Sequence, residues 1–191
     1  MSNTVNAPFG LRPSYHPSGV IRPTAFTIAN GYGSTIYQNQ PVRIAPSTAG
    51  GETEGTLVAS AVGAPFIGSF QGVEFTDSDG RRRVSNKWTA SQVGTDVVAY
   101  ATLDPAIFYD IQSNAAVTVA DIGKQYDLTA IAGNTTTGLS SQALDVASSA
   151  SNASVRLIGC EQGPDNNWGD TYCVVQVQIS EHQFVANIAA I

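Results

Sequence analysis

Two histidines, His16 and His182, and two cysteines, Cys160 and Cys173, are the residues from which metal or acid–base chemistry would have to be built. A transition-metal centre needs several imidazole, thiolate or carboxylate ligands converging on one point, as they do near the strands of metal-dependent barrels. His16 sits between Tyr15 and Pro17, and His182 follows Glu181 at the other end of the chain, so no such cluster is expected. The cysteines flank residues 161–172. A hairpin centred on Asn166-Asn167 sets them opposite each other, where a cross-strand disulfide fits. The chain starts without the basic and apolar stretches of an export signal, so a reducing cytoplasm and a reduced, buried pair are the simpler expectation.

Nucleophilic and ion-binding motifs fail on spacing. Gly138-Leu-Ser-Ser-Gln142 lacks the second glycine that sharpens a nucleophile elbow. Gly31-Tyr-Gly33 is a glycine turn without the strand-to-helix setting of a phosphate loop. Asp77-Ser-Asp-Gly80 begins like a calcium loop, but its twelfth position is Trp88, which cannot supply the bidentate acid. Asp165-Asn-Asn-Trp-Gly-Asp170 has side-chain oxygens for an ion, yet reads as a plain loop. Asn134-Thr-Thr and Asn152-Ala-Ser match a glycosylation acceptor, which means nothing without export. The chain is therefore not expected to be an enzyme, and no cofactor or metal is expected.

Contact chemistry is better represented. Residues 6–23 read Asn-Ala-Pro-Phe-Gly-Leu-Arg-Pro-Ser-Tyr-His-Pro-Ser-Gly-Val-Ile-Arg-Pro, with four prolines and two glycines in eighteen positions. Proline lacks the donor that a helix interior or a central strand requires, so an extended ribbon follows. It carries Phe9, Leu11, Tyr15, Val20 and Ile21, with Arg12, His16 and Arg22 and no acid. A stiffened ribbon of this kind suits a partner's surface, because little order is left to impose on binding. Arg81-Arg82-Arg83 is the one basic run. It reads either as a solvated hairpin strand or as guanidinium forks for a partner's acids, with Trp88 as an anchor. The expected contact set is Pro8, Phe9, Leu11, Arg12, Pro13, Tyr15, His16, Arg22, Arg81, Arg82, Arg83 and Trp88.

The elements that position these residues are strands. Cys173, Val175, Val177 and Ile179 alternate with Gln176, Gln178 and Ser180. Leu57/Ala59/Ala61, Val97/Ala99/Ala101, Ile107/Tyr109/Ile111 and Val155/Leu157 repeat that period between turn-forming clusters. Phe66 and Phe70 share one face while Val73 and Phe75 share the other, so a bulge or corner is expected at Gln71-Gly72. Val73-Glu-Phe75 turns through Thr76–Gly80 and returns along Arg82-Arg-Val84 as a hairpin. Gln142–Ser151 shows no apolar stripe of helical period and reads as a short strand, Ala143–Ala147, entering a loop. The fold class is all-β: a jelly-roll-like sandwich or barrel over residues 25–191, with an extended N-terminal arm over residues 1–24.

The 191 residues suffice for one domain without metal or disulfide support. Charged residues make up 13%, about half the usual share, which leaves a neutral, polar surface that docks without stripping many ions of water. The net charge of -6 argues against nucleic acid as a partner. No apolar run approaches the roughly 20 residues of a membrane span.

Several segments together resemble the head decoration, or cement, proteins of tailed bacteriophages. They are Asn6-Ala-Pro-Phe-Gly-Leu-Arg-Pro, His16-Pro-Ser-Gly, Gly72-Val-Glu-Phe-Thr-Asp, Gly80-Arg-Arg-Arg-Val-Ser-Asn, Asp121-Ile-Gly-Lys-Gln-Tyr and Thr136-Thr-Gly-Leu-Ser. The resemblance spans most of the chain and carries no catalytic signature. It implies a jelly-roll or related β-fold, made in the host cytoplasm and seated on the outer surface of an icosahedral head. There it would bridge neighbouring major capsid protein subunits as a homo-oligomer, a dimer before a trimer. The arm would staple the joints, and a chain lacking Met1–Pro23 would fold but no longer bind shells. Two other readings stay open: a receptor- or glycan-binding module of a tail or fibre using Trp88, Trp168, Tyr172 and Tyr100, and a barrel enzyme with an unrecognised site.

Overall fold

In the computed structural model, residues 5–46, 52–161 and 163–188 are described. Eleven strands follow in order: β1 (Arg12–Tyr15), β2 (Thr24–Phe26), β3 (Pro41–Ile44), β4 (Leu57–Ala59), β5 (Gly68–Thr76), β6 (Arg82–Ser85), β7 (Thr95–Ala101), β8 (Phe108–Gln112), β9 (Gln125–Tyr126), β10 (Val155–Cys160) and β11 (Val174–Ile179). Helix is limited, among the described residues, to single 3-10 turns at Val119–Asp121 and Val146–Ser148. The strands divide into two antiparallel sheets in a sandwich-like arrangement. One has the order β1-β8-β11-β10-β9; the other runs β2-β7-β5-β3-β4, with β6 added to β5.

Two pairings wrap the chain in jelly-roll fashion. β1 pairs β8 in the first sheet and β2 pairs β7 in the second, so the crossovers 16–23 and 102–107 run side by side from sheet to sheet. The wrap stops there. β5 takes β3 at its start and β6 at its end, while β8, β11 and β10 form an antiparallel run.

Each sheet has its own apolar cluster. Leu11, Ile107, Tyr109, Ile111, Val155, Leu157, Cys173, Val175, Val177 and Ile179 belong to the first. Ile36, Val42, Leu57, Phe70, Val73, Phe75, Trp88, Ala99 and Ala101 belong to the second. The period-two residues of β7, β8, β10 and β11 thus point inward as their alternation requires. Polar side chains join the two: Thr102 Oγ1 lies 2.8 Å from the Tyr109 hydroxyl and accepts the Ser69 amide at 2.8 Å. Burial pushes the Tyr109 hydroxyl above its ordinary value, so it stays neutral there.

The register change expected at Gln71-Gly72 is a bulge against β7 between Phe70 and Gly72. It lets Phe70 and Val73 enter the same cluster. Phe66 and Phe70 do not share a face, however, because Phe66 packs in the first cluster and Phe70 in the second. The Gly72–Trp88 hairpin forms, with Val73 opposite Ser85 and Phe75 opposite Arg83. Residues 143–147 are not a strand. Leu144 makes isolated bridges to Ser113 and Leu128, and a 3-10 turn begins at Val146.

The N-terminal ribbon is not a detached arm. β1 is an edge strand on β8, and β2 is the edge strand on β7. An edge position tolerates Pro13, and the pairing shifts between Pro13 and Tyr15. Ahead of β1, the Leu11 amide donates to Asn39 O at 2.8 Å and the Gly10 amide to Gln142 O at 3.1 Å. Gly10 has φ +77, and a Cβ there would lie 2.4 Å from Asn39 O, so only glycine lets the chain press this close. Leu11 is fully buried as a result. Leu11, with Ile21 packed against the first cluster, serves the chain's own core because burying one leucine is worth about 1.5–3 kcal/mol, which an isolated arm would forgo.

Candidate functional site

The residues expected to meet a partner divide into those consumed by the fold and those still presented. Leu11 and Trp88 are consumed: both are completely buried, and Phe75 packs edge-on against the Trp88 ring with centroids 5.4 Å apart. Neither can anchor a partner, and Trp88 cannot hold a sugar. Arg12 is engaged in its own chain. It donates to Asp110 Oδ2 at 3.0 Å, lies 3.5 Å from Glu161, and covers the Phe9 ring at 4.7 Å. Arg82 reaches Glu74 at 3.2 Å and Arg83 reaches Asp77 at 3.0 Å, so two of the three consecutive arginines have internal counter-charges. Arg81 and Arg22 are exposed and have no acidic partner among the described residues. Pro8 and Phe9 are half-buried, and Pro13 is half-buried in β1.

His16 shapes the ribbon. Its carbonyl accepts from the Gly19 amide at 2.8 Å, closing the turn His16-Pro17-Ser18-Gly19 with proline in second place. Its Nε2 lies 3.0 Å from Asp104 Oδ2 and its Nδ1 2.6 Å from Ser18 Oγ, tying crossover 16–23 to crossover 102–107. His182, buried, uses both nitrogens locally: Nε2 donates to Leu103 O at 3.0 Å and Nδ1 accepts from the Phe184 amide at 3.1 Å. Among the described residues no group of three His, Cys, Asp or Glu side chains is placed to hold a metal.

Around the ribbon the structure forms a trough. A cleft of about 370 Å³ is lined by Arg12, Pro13, Ile21, Pro23, Gln38, Asn39, Gln71, Thr102 and Leu139. On the ribbon's other flank a second cleft of about 370 Å³ is lined by His16, Ser18, Val20, Arg22, Asp104 and Ile107. Alternate ribbon residues therefore face alternate clefts: Ile21 and Pro23 one, Val20 and Arg22 the other. A third cleft of about 270 Å³ shares Gln71 with the first and reaches the β6 hairpin through Glu74, Val84, Ser85, Asn86 and Tyr100. Three features whose setting the sequence did not give lie here. Asn39, in a left-handed conformation with φ 63, lines the first cleft beside Gln38 and Gln71. Val84 is 83% exposed on the edge strand β6. Tyr100 donates to Glu74 at 2.6 Å. That bond, followed by Arg82, holds the Glu74 carboxyl below its usual range; the same bond, together with burial, raises the Tyr100 hydroxyl against the pull of Arg82. Only the positive φ of Asn39 had any sequence signal, because asparagine is among the few residues tolerant of that region.

The trough offers a surface for binding. Its walls are aliphatic and prolyl, its polar groups mostly neutral amides and hydroxyls, and its charges largely compensated within the chain. Tyr15, 51% exposed and tilted against the Phe108 ring at 5.6 Å between centroids, and Val20, 52% exposed, add apolar surface along the ribbon. No protein-family model, curated protein or solved structure matches the chain.

Proposed function

We propose that this protein is a non-catalytic assembly component, a head decoration protein of the tailed-bacteriophage kind. It would bind the outer surface of an icosahedral shell and bridge neighbouring major capsid protein subunits. The observation that carries the reading is the trough: three neighbouring clefts whose linings include Val20, Arg22 and Val84, with Tyr15 and Arg81 exposed outside them on the docked ribbon and the hairpin. The means of attachment differs from a swinging arm. A ribbon already fixed on the body loses no further chain entropy on docking, so modest contact area counts more. Several such contacts per shell multiply through effective concentration.

Co-sedimentation of the purified protein with undecorated heads tests this directly. Saturable binding is expected. A Val20→Asp/Val84→Asp double variant should bind at least about tenfold more weakly while keeping its melting temperature, since docking would then have to desolvate two unpaired carboxylates. Unchanged binding by the variant would remove the trough from the reading. Absence of binding by the parent protein, combined with a specific hit on a glycan array, would replace decoration with receptor recognition.

A further inference from the structure

We propose that Cys160 and Cys173 are a site of covalent closure. On meeting a small-molecule disulfide such as oxidised glutathione, they form an intramolecular disulfide that turns the loop between them into a ring. The two thiols are free, and their sulfurs lie 3.3 Å apart. The closeness comes from the strand pairing rather than from facing positions. A bulge between Leu157 and Gly159 shifts β10 along β11, so that Cys160 stands opposite Val175 and reaches Cys173 diagonally. A disulfide sulfur pair sits at about 2.05 Å, so closure asks for roughly an ångström of approach, within reach of side-chain rotation.

Asn166 holds the loop over this pair. Its Nδ2 donates to Glu161 O at 2.8 Å and Val174 O at 2.7 Å, and its Oδ1 accepts from the Val174 amide at 2.8 Å. The same Nδ2 lies 3.2 Å from Cys160 Sγ, which places Asn166 directly against the thiol. Cys160 is half-buried and Cys173 fully buried, which assigns the order of attack. Burial raises both thiols above their ordinary value, Cys173 by the larger amount.

Cys160 first gives its proton to solvent, and its thiolate attacks one sulfur of the glutathione disulfide. That S–S bond breaks, and the first glutathione leaves as a thiolate and takes up a proton. Cys173 then loses its proton and attacks Cys160 Sγ, breaking the mixed disulfide and releasing the second glutathione. Two protein thiols are oxidised while one small disulfide is reduced to two thiols. The pre-set sulfur separation makes the second step unimolecular, which offsets the buried thiol's reluctance to ionise. The state of the pair then reports the redox poise of its compartment, independently of the decoration reading.

The test uses the intact, reduced protein, incubated with oxidised glutathione at about pH 8, where ordinary thiols begin to ionise, then quenched with a maleimide and weighed by mass spectrometry. The expected main species has lost two hydrogens and takes no maleimide. Cys173→Ser should stop at a glutathione adduct, and Cys160→Ser should stay unmodified under native conditions. Closing a ring of this size should raise the melting temperature by something on the order of 5 °C. Two maleimides on the oxidised wild type, or a lasting glutathione adduct on it, would overturn the proposal. A melting temperature that fails to rise would overturn the ring's role as a brace.

Discussion

At the scale of single residues, burial decides between roles that chemistry alone leaves open. An aromatic five residues beyond a basic run suits an interface anchor equally as a core residue, and the environment of Trp88 makes it core. Trp88→Ala should cost about 3–5 kcal/mol in a denaturant titration, as large aromatic truncations do. The indole Nε1 is buried without a hydrogen-bond partner among the described residues, so Trp88→Phe, which deletes that donor, should cost distinctly less. Equal losses for the two variants would contradict this account. Asp121 offers a pH test. Lys124 at 2.8 Å, with the Thr118 amide and hydroxyl each at 2.8 Å, depresses its carboxyl to about 2. A folded-state value below the unfolded one means that the contribution is present above about pH 4 and lost as pH falls through about 2. Carboxyl NMR should find that midpoint, and Asp121→Asn should flatten the acid limb of stability in the same window. A midpoint near 4 would show the network to be unformed.

Strand identity was legible at the scale of elements because it is a local property. Alternation in β7, β8, β10 and β11 and the bulge at Gln71-Gly72 each need only neighbouring side chains to read. Strand partnership was not. The ribbon's prolines correctly excluded a helix and a central strand, but the same composition describes a free arm and an edge strand equally. What separates them is the free edges of β8 and β7, which are distant in sequence and leave backbone donors and acceptors to be satisfied. A chain lacking residues 1–23 should therefore fail to give a stable monomer, since it strips β8 of its cover and empties the Leu11 site. Leu11→Ala in the full chain should lose about 2–5 kcal/mol. Thermal melting and size-exclusion chromatography check both. A cooperatively folded, soluble truncation would return the ribbon to the status of an appendage.

For the whole molecule, the sparse charge sets the character of any association. With Arg12, Arg43, Arg82, Arg83 and Lys124 paired to acids in the chain, little net attraction is left to screen. Shell binding through the trough should fall less than about threefold between about 0.1 and 0.5 M salt, because contacts dominated by apolar and neutral polar groups are weakly screened. A steep salt dependence in the sedimentation assay would point instead to the arginines as the main attachment. The homodimer that the resemblance implies belongs to this scale as well, and sedimentation velocity of the free protein tests it.

Composition and period by themselves determined that the chain is all-β and that Gly72–Trp88 is a hairpin. Those are short-range facts, fixed by backbone donors and side-chain alternation. Tertiary structure alone decided that the ribbon packs on its own body, that Trp88 and Leu11 face inward, and that Gln38, Asn39 and Gln71 meet at one cleft. It also brought the two sulfurs together across a shifted register. Each of these depends on which distant edges and faces find one another, and that choice rests on burial and hydrogen bonding summed over the whole fold.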